Sequence, residues 1–141
     1  MANFDISIED TLSNEGVFNG KMGYVNDKAD SGGETIAGIS RKNFPNDDIW
    51  RLVDEAKHKP NFPYNLKSTV GIKDAIKNFY RTNFWNKFKG DNIKSQQIAN
   101  TLIDAAVLGG EVTAVKRAQA IVHLPQTGIV DNTLLTKLNC L

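Results

Sequence analysis

The sequence contains almost no cysteine, since Cys140 is the only one among its 141 residues. Without a second cysteine in the chain no intrachain disulfide can form, so the stability of the fold must come from packing. An excess of one charge is missing too, because 17 basic and 16 acidic residues leave a formal net charge of +1. This balance gives no long-range field for a nucleic acid to exploit, and we expect no nucleic-acid partner.

Long hydrophobic runs are also absent, and no stretch reaches the roughly 20 apolar residues that span a bilayer. The first ten residues, MANFDISIED, carry acids where a signal peptide has a basic patch and an apolar run. We therefore expect no membrane insertion and no signal peptide. His58 and His123 lie far from the cysteine and from any acidic cluster, and no nucleotide motif is visible, so the sequence predicts no metal and no cofactor.

What is present is the composition of a folded protein, with 40% hydrophobic and 23% charged residues in a chain short enough for one domain. Apolar residues recur at helical spacing along most of the chain. We predict a mainly α-helical fold of about six helices, with a small β-hairpin or loop near the N-terminus. The stripes after the first helix are Ile49, Leu52, Val53, Ala56; Ile72, Ala75, Ile76, Phe79, Tyr80, Phe84; Ile98, Leu102, Ala105, Ala106; Val112, Val115, Ala118, Val122; and Leu134, Leu135, Leu138.

The opening helix places a carboxylate in an unusual position. Phe4, Ile8 and Leu12 recur every fourth residue and share one face of a helix that Gly16 can end. Glu15 follows Leu12 by three residues, so it leaves the last turn on the buried side. Burial and the negative end of the helix dipole both disfavour an ionised carboxylate there, which suits a proton donor. A structural hydrogen bond or ion pair is the alternative interpretation.

Residues 14–39 differ from the helical remainder, because they hold six of the eleven glycines with polar residues between them. This composition predicts a tightly turned loop or a small hairpin, with Tyr24 and Val25 on one arm and Thr35 and Ile36 on the other. Loops held by a rigid scaffold are where functional sites tend to lie. The segment is therefore the first candidate for a site.

The acids of this segment are of the types that a glycosidase needs. Such an enzyme requires a proton donor and, opposite it, a second carboxylate or a polar group that places water or stabilises the transition state. Glu15 can serve as the donor, and Asp27, Asp30 and Thr35 are of the types that can supply the opposite group. Asp27 stays open as the second carboxylate. The structural alternative is that Asp30 starts an Asx-type turn and Thr35 only pairs strands.

Four motifs of this segment resemble glycoside hydrolase family 108, the lysozyme-like N-acetylmuramidases that include phage endolysins and proteins described as secretion activators. They are EG at 15–16, GYVND at 23–27, DSGGET at 30–35 and GI at 38–39. The resemblance continues through FYRTNFW at 79–85, through 98–110, and through 114–138. It implies one lysozyme-like domain over 1–141, with a catalytic part over about 1–90 and a peptidoglycan-binding-type helical part over about 91–141.

The resemblance implies a peptidoglycan hydrolase that cleaves the β-1,4 bond between N-acetylmuramic acid and N-acetylglucosamine. The glutamate of the family's EGGY motif matches Glu15, which would be the general acid, while Asp30 and Thr35 would orient water or stabilise the opposite face of the sugar. The residues expected to contact substrate are Tyr24, Asp27, Gly32 and Gly33, the two glycines through backbone geometry or close approach of a glycan.

The resemblance also implies peptidoglycan glycan strands as the partner, and we expect a monomer. The protein would act on the bacterial cell wall, in the periplasm or outside the cell, and would be exported by a non-classical or holin-type route. One departure favours an alternative function. The family runs directly from EG into GY, whereas six residues, VFNGKM at 17–22, separate them here. The alternative is a catalytically weak or inactive peptidoglycan-binding secretion-helper protein.

Overall fold

The computed structural model describes residues 1–17, 19–27 and 33–141, and of Asp27 it describes only the backbone. The described residues confirm the mainly α-helical class with a small antiparallel sheet. The helices are α1 Phe4–Asn14, α2 Ile49–Lys57, α3 Ile72–Tyr80, α4 Gln96–Gly109, α5 Glu111–Ile121 and α6 Asn132–Asn139, and the strands are β1 Val25–Asp27, β2 Gly33–Ile36 and β3 Ile39–Ser40. Shorter helical turns cover Tyr64–Ser68, Arg81–Trp85 and Gly90–Asn92.

The chain divides into two compact units. We call Leu12–Phe79 the hairpin unit and the combination of Met1–Thr11 with Tyr80–Leu141 the helical unit. The division into a catalytic part over about 1–90 and a peptidoglycan-binding-type part over about 91–141 stays a prediction. The limit at Leu12 falls inside α1, so the first turns of this helix belong with the C-terminal helices.

The hairpin unit is built around the predicted hairpin. Its strands follow the order β1-β2-β3, and both neighbouring pairs are antiparallel. The third strand was not predicted, because it has only two residues and directly follows the turn at Ala37 and Gly38, both of which have positive φ. The core of this unit is apolar and fully or almost fully buried; it includes Ile36, Ile39, Ile49, Trp50, Val53, Ala56, Leu66, Ile72 and Ile76.

Helix α2 starts where the sequence suggested. The Asp47 carboxylate accepts a hydrogen bond from the Ile49 N–H at 3.0 Å and so satisfies one of the free donors of the first turn. Asp48, the residue that directly precedes the helix, makes no such bond, and its side chain instead pairs with Arg51 at 2.9 Å. The predicted apolar stripe of α2 is buried.

The helical unit packs α4 against α5 and holds the start of α1. Ser95 and Asp131 cap α4 and α6, accepting from Ile98 N–H at 3.2 Å and Leu134 N–H at 2.8 Å. One expectation was wrong in detail: Val112 is exposed rather than buried. In the described part of the chain, no helix combines the length and the apolar character needed to cross a bilayer.

Candidate active site

Glu15 lies directly after α1, at the position that the helical spacing predicted. The helix ends in a Schellman motif, in which the Gly16 N–H donates to the Ser13 carbonyl at 3.1 Å and the Val17 N–H donates to the Leu12 carbonyl at 3.0 Å. Gly16 has a φ of +78°, the left-handed conformation that this motif requires. The motif satisfies two helix carbonyls and fixes the point at which Glu15, which is partly buried, leaves the helix.

Of the six residues between the EG and GY motifs, the structure describes Val17 and residues 19–22, which form a loop that closes on itself; Phe18 lies outside the described residues. The Asn19 N–H donates to the Gly16 carbonyl at 3.1 Å, and the Asn19 side-chain oxygen accepts from the Lys21 and Gly23 N–H groups at 2.9 and 3.0 Å. The chain therefore returns to its starting point. A Cβ built on Gly16 would lie 3.3 Å from the Cα of Gly23.

Gly23 fixes the backbone of Glu15 against the hairpin. Its φ is +71°, and a Cβ built on it would overlap the backbone oxygen of Glu15 and lie 3.1 Å from the backbone nitrogen of Ala37. Only glycine fits between these two segments without moving one of them. The Ala37 N–H also donates to the Met22 carbonyl at 3.2 Å. Thus the insertion leaves EG and GY in direct contact, which removes the argument that it separates Glu15 from the hairpin.

The two faces of the hairpin are different. Because successive strand residues point to opposite sides, Glu34 lies on the same face as the fully buried Ile36, and Thr35 lies on the other face. Thr35 pairs across the sheet with Val25 and with Ser40, and the Val25 side chain is exposed. Thr35 is therefore on the more open side of the hairpin.

Glu34 is the centre of a hydrogen-bonded charge cluster. Its Oε2 accepts from the Tyr24 hydroxyl at 2.8 Å and from the Lys57 ammonium at 2.6 Å, and its Oε1 accepts from the Arg41 guanidinium at 3.1 Å. Arg41 also binds both carboxylate oxygens of Asp54 at 2.7 Å each. This cluster of two carboxylates and two cations ties the hairpin to α2, and bidentate Arg–carboxylate pairs are geometrically specific.

The cluster keeps Glu34 ionised. Burial alone would raise the pKa of its carboxyl, but the hydrogen bonds from Lys57 and Tyr24 and the charges of Lys57 and Arg41 outweigh burial and hold that pKa below its usual value. Burial, together with the hydrogen bond to Glu34, raises the pKa of the Tyr24 phenol to about 12, so this group stays a donor. Glu34 is thus an acceptor at neutral pH and does not have the protonation state of a general acid.

Glu15 has different surroundings. Among the described residues, no cation and no donor side chain is paired with its carboxyl group. Its side chain is partly buried and directly follows the C-terminal end of α1. Of the two glutamates in this region, Glu34 is thus held by cations, and Glu15 is not paired with any cation among the described residues.

The lowered pKa of Glu34 predicts how the stability of the fold depends on pH. Its folded-state pKa lies below the ordinary value of 4.5, so the carboxylate stabilises the fold fully above that pH, and this contribution disappears as the pH falls through the folded-state pKa. We expect Glu34→Gln to lower the free energy of unfolding at pH 7 by about 1 to 3 kcal/mol. Urea unfolding at a series of pH values should show that the difference in free energy of unfolding between the parent and Glu34→Gln becomes smaller toward pH 2. The control is Glu55→Gln, which removes an exposed ion pair with Arg51 and should change the free energy of unfolding little at any pH. A loss of stability in Glu34→Gln that does not depend on pH would contradict the prediction.

The predicted substrate contact Tyr24 is buried, with 8% of its surface exposed. Its ring packs edge-on against Phe62, with the centroids 4.9 Å apart, and its hydroxyl is bound to Glu34. Its observed contacts hold the hairpin. A role of Tyr24 in substrate binding stays a prediction.

The tip of the hairpin is described only in part. The backbone of Asp27 pairs with Gly33 at the end of the β1–β2 ladder. Gly33 has a φ of +63°, and a Cβ built on it would meet none of the described residues within 4 Å, so its backbone conformation is the constraint. Asp30 and Gly32 lie outside the described residues. The roles of all four stay predictions.

Sequence analysis missed Glu34 although it lies in the DSGGET motif. Strand alternation was the available signal, because a strand that buries Ile36 must turn Glu34 to the same side. A carboxylate on that side requires cationic partners. These partners, Arg41 and Lys57, come from other elements, and no local pattern marks them. Among the described residues, no group of three or more His, Cys, Asp or Glu side chains could hold a metal ion.

Comparison with known proteins identifies the family. The model of the family described as glycosyl hydrolase 108 matches residues 8–110. Among solved structures, that of SagA from Brucella abortus is similar, with a TM-score of 0.62 and 26% sequence identity over 98% of this chain and 69% of that chain. No curated protein matches the sequence significantly. With the family model covering most of its length, the chain belongs to glycosyl hydrolase family 108.

Proposed function

We propose that the protein is a peptidoglycan hydrolase of the N-acetylmuramidase type, which cleaves the β-1,4 bond between N-acetylmuramic acid and N-acetylglucosamine. Family membership supports a hydrolase of glycosidic bonds. The observation that carries the assignment of the acid is the contact between Gly23 and the Glu15 backbone, which brings the EG and GY motifs together despite six intervening residues.

In this proposal Glu15 protonates the glycosidic oxygen as the bond breaks. Its partial burial and its place at the end of α1 support this role, and the cations around Glu34 make that residue unsuitable for it. Asp30 and Thr35 act on the opposite side of the sugar, where they orient water or stabilise the oxocarbenium-like transition state. Asp30 is preferred over Asp27 because it lies in the same DSGGET element as Thr35.

The substrate class follows from the chemistry and the family. Peptidoglycan glycan strands are the proposed partner, and the protein acts as a monomer on the cell wall, in the periplasm or outside the cell. Tyr24, Asp27, Gly32 and Gly33 are the proposed substrate contacts around the hairpin.

The test is a digest of purified cell walls followed by reduction of the products with borohydride and mass analysis. We expect newly reduced N-acetylmuramic acid at the cleaved ends, because a muramidase leaves that sugar as the reducing end. Newly reduced N-acetylglucosamine would contradict the bond assignment. Wall binding without any new reducing ends would contradict the hydrolase and support the alternative, a catalytically inactive peptidoglycan-binding secretion helper.

A further inference from the structure

The tryptophan and tyrosine side chains divide sharply by exposure. Tyr64 is 60% exposed, whereas the other four are at most 8% exposed. The buried four are Tyr24, Trp50, Tyr80 and Trp85. An aromatic ring offers a flat apolar face that fits the C–H face of a sugar ring, and a tyrosine adds a polar edge. If one of these five residues stacks on a sugar, only Tyr64 can do so without unfolding part of the core.

Tyr64 lies against the loop of residues 17–22. A Cβ built on Gly20 would lie 3.3 Å from the Cδ1 atom of Tyr64, and the ammonium group of Lys21 lies 6.0 Å from the centre of the ring. The absence of a side chain at Gly20 therefore lets the loop approach the ring closely. The loop supports one side of the ring while more than half of the residue stays open to solvent.

The same segments that hold Tyr64 also hold Glu15. The loop begins after Gly16 and returns at Gly23, which contacts the Glu15 backbone. Two residues before Tyr64, the ring of Phe62 packs on Tyr24, the neighbour of Gly23 in the chain. Two sets of contacts within the hairpin unit thus link Tyr64 to the Glu15 region, one through the loop and one through Phe62 and Tyr24.

We propose that Tyr64, supported by Gly20 and Lys21, is a saccharide-binding platform that stacks against an N-acetylamino-sugar of the glycan strand near the bond to be cut. The platform rests on the proposed function, because its ligand is the same strand. It also gives a role to the insertion between the EG and GY motifs, because two of the inserted residues, Gly20 and Lys21, support the ring.

Binding is tested in the Glu15→Gln background, where cleavage does not interfere, with chitohexaose as the probe in calorimetric titrations. Tyr64→Ala should weaken binding by about tenfold, whereas Tyr64→Phe, which keeps the ring, should bind like the parent. Val70→Ala is the matched control in the same unit, because Val70 is 92% exposed and has no part in the platform. The midpoint of thermal unfolding should change little in all three variants.

The active protein gives a second readout. Tyr64→Ala should raise KM on solubilised glycan strands by a similar factor with kcat nearly unchanged, because stacking away from the reacting bond is uniform binding. Parent-like binding and KM in Tyr64→Ala, or an equal loss of binding in Tyr64→Phe, would overturn the platform. Neither result bears on the proposed hydrolase activity, which is contradicted only if the wild-type protein releases no new reducing ends. If binding depends on Tyr64 but no reducing ends are released, the platform is supported and the hydrolase activity is rejected.

Discussion

Replacing Glu15 by Gln is expected to lower the rate of cell-wall lysis by about 10² to 10⁴-fold, the range that general acid catalysis contributes. Gln keeps the size and the hydrogen-bonding capacity of the side chain but has no proton to transfer to the leaving oxygen. Because Glu15 lies outside α1 and makes no ion pair with the described residues, the midpoint of thermal unfolding should change little. The measurement is the loss of turbidity of purified walls beside a thermal melt.

The control is Glu9→Gln, which makes the same chemical change at an exposed position of α1. This variant should lyse walls at the parent rate. Lysis by Glu15→Gln at a rate near that of the parent would remove Glu15 from the mechanism. A large drop in the midpoint of thermal unfolding of Glu15→Gln would mean that its loss of activity results from a less stable fold.

The second large effect is expected from Gly23→Ala. The new Cβ would overlap the backbone oxygen of Glu15, and the φ of +71° is unfavourable for any residue with a side chain. We expect unfolding to become easier by about 2 to 4 kcal/mol, as overpacking and left-handed strain add together. Lysis should fall by roughly 10²-fold, since a displacement of about 1 Å in a catalytic group can cost that much. Denaturant unfolding and wall-lysis rates measure the two effects.

Gly71→Ala separates the two causes. Gly71 lies in the same unit with a φ of +84°, but a Cβ built on it would meet nothing within 4 Å. Only the conformational cost of about 1 to 2 kcal/mol applies there, and lysis should be unchanged. Equal losses of stability and activity in the two variants would show that the contact between Gly23 and Glu15 has no special role.

The helices and the position of Glu15 could be predicted because their causes are local. A helix shows itself in the spacing of Phe4, Ile8 and Leu12, and its end in Gly16, whose left-handed conformation completes the cap. The two arms of the hairpin were predicted from the glycines and from the strand-forming residues between them. Each of these features depends on residues a few positions apart.

The charge cluster and the exposed aromatic ring could not be predicted in the same way. Glu34 receives its partners from Arg41, seven residues away, and from Lys57 on another element, so only the folded chain brings them together. Tyr24 is among the residues expected to contact substrate, but its exposure depends on Phe62, which packs on it from a distant turn. Burial of a side chain is a property of the whole unit.

The loop between Gly16 and Gly23 returns to its own starting point, so its length can change without moving the residues at its two ends. Because Gly16 and Gly23 are already neighbours, residues can be added or removed between them without changing the distance that the loop must span. The position of the Glu15 backbone is therefore independent of loop length, while the surface beside it changes with every insertion. If Glu15 acts as proposed, substrate preference can diverge at this point of the chain without a change in the acid.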